Sequence, residues 1–278
     1  MDIVSQAELD RRVEESVASI REYSTIEPSA AVILGTGTGD FTAEIKNAVE
    51  IPYQVIPHFA STTVEGHPGV LVMGEFSGRQ VSVFAGRFHY YEGLRMHEVA
   101  YPVRVARALG AEVLVQFNAA GGIKRDLQVG DLLVVDDYVN MMGDSPLRGI
   151  MTEPPSAKFV PMNRPFDERL SEAAFRGALR GGLRVHRGTY IAVHGPSYET
   201  DAELYFFHVI GGAAVGMSTV PEAIVARSLG MRNVAISVIT NLTFGVEGQH
   251  LSHKEVLSIA RGALPKLKDI LACILAET

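Results

Sequence analysis

The chain has 278 residues, 47% of them hydrophobic and 21% charged, with 27 glycines; that is enough apolar material for a substantial core, and it excludes bulk disorder. Lys and Arg number 25 against 32 Asp and Glu, a net charge of −7, and an acidic chain without a basic block is a poor binder of nucleic acid or an anionic membrane. The single cysteine, Cys273, excludes an intrachain disulfide framework and a multi-cysteine zinc site; in its apolar helical tail it reads as a small core residue.

The N-terminus, MDIVSQAELD, is acidic and has no hydrophobic signal core. No apolar run approaches the roughly 18 residues needed to span a bilayer, and the expected location is the cytoplasm. Within 1–25, Leu9, Val13, Val17 and Ile20 recur at helical spacing and predict an N-terminal helix. Ala30 to Leu34 reads as a strand opening into Gly35-Thr36-Gly37-Thr38-Gly39. Further β-rich runs follow at Val81–Ala85, Val113–Asn118, Leu132–Val135, Tyr190–Val193 and Val234–Ile239. Helical patterns at His97–Leu109, Asp201–Ile210 and Ala223–Leu229 each end at a glycine, Gly110, Gly211 and Gly230, a helix stop signal. Thr219-Val220-Pro221-Glu222 offers a helix start with proline in the first turn. Ser252-His253-Lys254-Glu255 forms a capping box for the last helix, which Pro265 is expected to kink or break. Residues 141–166 hold five prolines and read as a long surface loop with a binding role. Strand and helix alternating at this scale predict an α/β fold with a largely parallel or mixed sheet. Without repeats or a low-complexity linker, a single domain over 1–278 is expected.

The polar and glycine-rich motifs fall where β runs close, and in open α/β sheets ligands bind outside strand ends. Gly35 to Asp40 fails the dinucleotide fingerprint, because Asp40 stands at the last glycine position. It reads either as a plain tight turn or as an anion cradle of backbone N–H groups and the Thr36 hydroxyl. In Gly86-Arg87-Phe88-His89-Tyr90-Tyr91-Glu92-Gly93, Arg87 can fork two donors onto a phosphate, His89 can add an N–H, and Glu92 can orient it. The same loop also reads as a surface ion pair. His67, in a turn-rich loop, reads as exposed or as reaching an anion. Asn118-Ala119-Ala120-Gly121-Gly122 permits close ligand approach to the backbone, or merely tight packing. Tyr198 and Glu199 place an aromatic face and a carboxylate together. Gly216-Met217-Ser218-Thr219 leads into a helix N-terminus, a natural anion site. Ser237 to Asn241 is a buried strand ending in an amide. Each also has a cap or turn explanation.

Together, GRFHYYEG, NAAGG, GPSYET, GMSTVPE and SVITN resemble, in order and spacing, the trimeric purine nucleoside phosphorylases, from about Ala30 to Gly262. The resemblance implies a mixed, partly barrel-like central sheet flanked by helices. It implies that Thr36, His67, Arg87, His89, the Ala119 backbone and Ser218 surround phosphate. Tyr91, Met217 and His253 would face the ribose, and Tyr198, Glu199 and Asn241 would hold the purine. A phenylalanine from a neighbouring subunit of a homotrimer would complete the site, with Phe159 the candidate and Phe166 nearby. Thr38 and Glu65 depart from the residues common in the family. His89, Glu199 and Asn241 would carry the chemistry, with inorganic phosphate as co-substrate and no metal or other cofactor.

The implied reaction is phosphorolysis of 6-oxopurine nucleosides, inosine, guanosine and their deoxy forms, in purine salvage. A dianion below the sugar stabilises the oxocarbenium character that develops as the glycosidic bond breaks. Asn241 can serve N7–H and O6 together, and Glu199 can accept N1–H. A methylthioadenosine phosphorylase would want an aspartate at Asn241 and a more apolar pocket than His253 suggests. A non-catalytic nucleoside binder would have no need of a phosphate site. The glycine spacing disfavours a nicotinamide-dependent oxidoreductase, and no Walker A, GxSxG or HExxH motif is present.

Overall fold

The computed structural model describes residues 4–35, 37–61, 68–243 and 253–278, with backbone alone at 253, 254, 264 and 265. In chain order the first half contains β1 (Val4–Ser5), α1 (Gln6–Arg21), β2 (Ala30–Leu34), β3 (Lys46–Pro52), β4 (Val70–Phe76), β5 (Arg79–Ala85), α2 (Met96–Val99), α3 (Tyr101–Leu109) and β6 (Val113–Gly122). The second half contains β7 (Leu132–Asn140), β8 (Ile150–Met151), α4 (Glu168–Arg180), β9 (Val185–Ala192), α5 (Asp201–Val209), β10 (Gly212–Gly216), α6 (Val220–Ser228), β11 (Arg232–Leu242) and α7 (His253–Leu275).

Nine strands form one mixed sheet in the order β10-β9-β7-β11-β6-β2-β5-β4-β3. An additional antiparallel pairing of β10 with β6, through Ala214 and Gly122, closes five of them into a ring. The sheet is thus a five-stranded barrel (β6, β11, β7, β9, β10) extended by an open wing (β2, β5, β4, β3). Closure covers the edge that β10 would otherwise expose. The partly barrel-like mixed sheet that the motifs imply is the observed architecture.

Ala30 to Leu34 is a continuous apolar run because both its faces are covered, as in central parallel strands. Val32 and Leu34 face a core layer with Leu170, Ala174 and Ala178 of α4 and Leu267, Ile270 and Ile274 of α7. Ala31 and Ile33 face the opposite layer, with Ile20 of α1, Val103 and Ala106 of α3, and Val225 of α6. Helix α1 lies within the expected 1–25 segment, with Leu9 and Ile20 buried and Ser5 capping it by accepting from the Glu8 N–H at 3.1 Å.

Several boundaries differ from the sequence expectations. The helix expected over 97–109 is two, broken at Ala100, because Pro102 begins a new helix at a position where its missing N–H costs nothing. Helix α7 runs on through position 265 instead of breaking there; its apolar face stays packed along α4, where a Cβ at Gly177 would lie 2.9 Å from the Ile270 backbone. Tertiary packing outweighs local propensity at that point. Residues 141–166 are not wholly irregular, since β8 pairs in parallel with β1 and Pro155–Lys158 make a 3₁₀ turn. Cys273 is half-buried rather than fully inside the core. No helix among the described residues is long and apolar enough to cross a membrane.

Parallel register sets up the site. Leu34 pairs with Ala85 and with Phe117, and Ser237 pairs with Asn118. The C-terminal ends of β2, β5, β6 and β11 therefore lie side by side, with Gly35 and Arg87 just past β2 and β5 and with Ala119 and Asn241 in the last stretches of register of β6 and β11.

Candidate active site

At these strand ends lies a cavity of about 380 Å³. Its lining includes nine of the residues singled out in the sequence: Arg87, His89, Tyr91, Ala119, Tyr198, Glu199, Met217, Ser218 and Asn241.

The Arg87 side chain is 1% exposed, and its Nε donates to Glu222 Oε1 at 2.7 Å. Its Nη1 donates to the Phe117 carbonyl at 3.0 Å and towards Ser218 Oγ at 3.4 Å, while Nη2 reaches Gln116 Oε1 at 3.4 Å. The guanidinium approaches β2 closely because residue 35 is glycine: a Cβ there would lie 2.8 Å from the Phe117 oxygen and 3.2 Å from Arg87 Nη1. Ser218 and Thr219 precede α6, which starts at Val220 with proline in its first turn, as expected. Thr219 adopts a left-handed φ of 71° and among the described residues makes no side-chain cap; its Oγ1 accepts from Asn118 Nδ2 at 2.9 Å. That contact ties the α6 entrance to β6 and fixes Ser218 beside Arg87.

His89 is fixed from two sides. Its backbone N–H donates to Glu92 Oε1 at 2.8 Å, its Nδ1 lies 3.2 Å from the same oxygen, and its ring stacks on Tyr91 at 4.7 Å and 16°. Burial, with Glu92 nearby, raises the Tyr91 phenol well above its ordinary value, so it stays a neutral hydroxyl near physiological pH. Gly195 has φ 65°, and a Cβ there would collide with the Met217 sulfur and approach Tyr91; glycine lets these two side chains meet at the cavity wall.

At Glu199, on the cavity wall, burial raises the carboxyl above its ordinary value. Thr240 Oγ1 donates to Asn241 Oδ1 at 3.1 Å and towards the Ala120 carbonyl at 3.4 Å, which orients the Asn241 amide. Asn241 sits at a register shift between β11 and β6, and this irregularity places it at the cavity. Tyr198 is 59% exposed, so it lines the cavity from the solvent side.

Phe159 does not line the cavity and is 77% exposed. Phe166 is buried against Tyr138 and is unavailable to a neighbour. Thr36, Glu65, His67 and the His253 side chain lie outside the described residues; Val256, one turn along α7 from position 253, does line the cavity. Thr38, the family departure, is buried and donates to the Gly35 carbonyl at 2.8 Å, closing the turn. Among the described residues no group of His, Cys, Asp and Glu is placed to hold a metal.

Glu222, Gln116 and Thr240 escaped the sequence reading. Glu222 had a signal: it is a lone charge in Val220 to Ala226, a segment buried throughout, and a buried carboxylate requires a partner.

The phosphorylase superfamily model matches residues 29–276. The chain is 43% identical over 265 residues to purine nucleoside phosphorylase 1 of Bacillus subtilis, covering 94% of this chain and 98% of that one. It is 38% identical over 261 residues to the purine nucleoside phosphorylase of Mus musculus, covering 91% and 90%. The solved structure of Schistosoma mansoni purine nucleoside phosphorylase in complex with inosine superposes with a TM-score of 0.89 at 34% identity, over 96% of each chain; the same enzyme in complex with adenosine gives 0.88. Fold, cavity and relatives agree: this chain belongs to the purine nucleoside phosphorylases of the phosphorylase superfamily.

Proposed function

We propose that this chain is a pentosyltransferase that cleaves 6-oxopurine nucleosides with phosphate, releasing the free purine and (deoxy)ribose 1-phosphate, in purine salvage. The observation that carries this reading is that one cavity is lined together by a cation and a hydroxyl, Arg87 and Ser218, and by a carboxylate and an amide, Glu199 and Asn241. The purine nucleoside phosphorylase names of the relatives support it and do not favour the methylthioadenosine alternative.

Arg87, Ser218 and His89, joined by Thr36 and His67, position the phosphate dianion beneath C1′ and offset its charge. Tyr91, Met217 and His253 hold the ribose over it. As the C1′–N9 bond stretches, the anion faces the developing oxocarbenium while electrons move into the purine ring. Asn241 accepts from protonated N7 through Oδ1 and donates to O6 through Nδ2. The Thr240 hydroxyl on Oδ1 supports this amide orientation and leaves Nδ2 as the donor. Glu199, ionised, accepts N1–H and, for guanine, the 2-amino group. The reaction requires no metal, redox group or covalent intermediate. The active form is a cytoplasmic homotrimer in which Phe159 of one subunit covers the site of the next; its 77% exposure in the single chain supports that placement. A panel of inosine, guanosine, adenosine and methylthioadenosine, each with and without phosphate, tests the reading. Phosphate-dependent cleavage of the first two is expected, and preference for either of the last two overturns the substrate class.

A further inference from the structure

Arg87 is held by groups that do not reach the cavity. Glu222 grips it at Nε, with both side chains at 2% exposure or less. At the other end of the guanidinium stands Gln116, itself fully buried, whose Nε2 donates to Asn233 Oδ1 at 2.9 Å. Asn233 belongs to β11, and its backbone oxygen accepts from the Asp167 N–H at 2.8 Å where α4 begins. Gln116 and Asn233 are thus two buried amides in adjacent parallel strands. Both are buried, at the cost of desolvating polar groups. Among the described residues, Asn233 Nδ2 and Glu222 Oε2 have no hydrogen-bond partner. A core selected for stability alone would fill these positions with apolar side chains. Glu222 and Gln116 both contact Arg87, and Asn233 contacts Gln116.

We propose that Glu222 and Gln116 are positioning residues for the phosphate co-substrate: they clamp the two ends of the Arg87 guanidinium, with Asn233 bracing Gln116, so that the arginine presents a preset edge beside Ser218. This rests on the proposed function, in which Arg87 binds phosphate. A long arginine side chain without the clamp has rotamer freedom that must be lost on each binding event. The clamp removes that loss in advance, and Glu222 offsets the cationic charge so that Arg87 can remain buried before phosphate arrives. Glu222 also sits in the first turn of α6, so the same contact ties Ser218, two residues before that helix, to the arginine it must act beside.

The test uses Glu222→Leu, Gln116→Leu, Arg87→Leu and the two double variants with Arg87→Leu, measuring phosphate KM at saturating inosine and inosine KM at saturating phosphate. Misplacing a binding group by an ångström can cost on the order of 100-fold, so Glu222→Leu should raise phosphate KM on the order of 10–100-fold. Gln116→Leu, which holds the farther and weaker contact, should raise it several-fold. Inosine KM should stay within about twofold in both, and neither change should add to the loss in Arg87→Leu, because both act through that side chain. Gln116→Leu strands no charge, so it carries the test by itself if Glu222→Leu does not fold. Unchanged phosphate KM, parallel rises in both KM values, or losses additive with Arg87→Leu would overturn the clamp. If Arg87→Leu itself leaves phosphate saturation unmoved, the phosphate site is wrong; if only the clamp variants are silent, that site stands without the clamp.

Discussion

Asn241→Asp changes one atom's chemistry at the cavity wall and little else. The Thr240 hydroxyl that donates to Oδ1 at 3.1 Å finds the same acceptor on a carboxylate. A Cβ built at Gly121 would lie 3.3 Å from Asn241 Nδ2, so the replaced atom has backbone close behind it and little room to swing away. In the variant an acceptor-only oxygen faces O6 of a 6-oxopurine. The lost donor and unsatisfied acceptor together cost about 1–3 kcal/mol, roughly 5- to 150-fold in kcat/KM for inosine at about 1.4 kcal/mol per decade. Against a 6-amino group the same oxygen gains a donor, so adenosine should improve by a comparable factor. The inosine-to-adenosine ratio should then fall by about 25-fold at the least and by up to about four orders of magnitude. Initial rates for both nucleosides at saturating phosphate give the ratio directly. A ratio that does not move, or both substrates declining together, would mean that Asn241 does not read the base.

Three other substitutions probe separate parts of the account. Burial raises the Glu199 pKa, and the ionised form accepts N1–H, so kcat/KM for inosine should fall as pH drops through a value above the ordinary carboxylate range. Glu199→Gln should flatten that limb in a pH–rate profile. The same burial makes the charged carboxylate unfavourable in the folded state at neutral pH, so Glu199→Gln should not lower Tm there, and a clear drop would contradict the burial argument. Gly35→Ala drives a methyl to 2.8 Å from the Phe117 oxygen and 3.2 Å from Arg87 Nη1; we expect about 1–3 kcal/mol of destabilisation by denaturant titration, with a raised phosphate KM. Phe159→Ala, at an exposed position, should leave Tm unchanged while lowering nucleoside kcat/KM. An unaffected kcat/KM would remove Phe159 from the neighbouring site.

What the sequence revealed, and what it hid, follows from the range of the physics involved. Ala30–Leu34 was legible because a five-residue apolar run has few uses other than a strand buried on both faces, and β2 keeps those bounds. The β runs at 113–118 and 234–239 were too short. The real strands extend through Gly122 and Leu242, because barrel closure between β10 and β6 recruits glycine-rich segments that local propensity would leave as loops. Strands β3, β4 and β10 and helix α4 went unread for related reasons: β3 is a largely exposed edge strand, and β10 is Gly-Ala-Ala-Val-Gly, with little β propensity of its own. Nine of the residues lining the cavity were legible because their motifs fall where β runs close, beside glycine or small residues. Glu222 and Gln116 were not, since their partner Arg87 is 135 and 29 residues away. Ion pairs and buried amides across a sheet leave no periodic trace in the chain.

The most direct measurement follows inosine with purified protein in phosphate-free buffer and again after phosphate is added, quantifying hypoxanthine, ribose and ribose 1-phosphate. The joint presence of Arg87, Ser218, Glu199 and Asn241 in the lining of one cavity, on the proposed roles, predicts hypoxanthine only when phosphate is present, with one ribose 1-phosphate formed per base released. Free ribose as the product, or base release that is indifferent to phosphate, would contradict it.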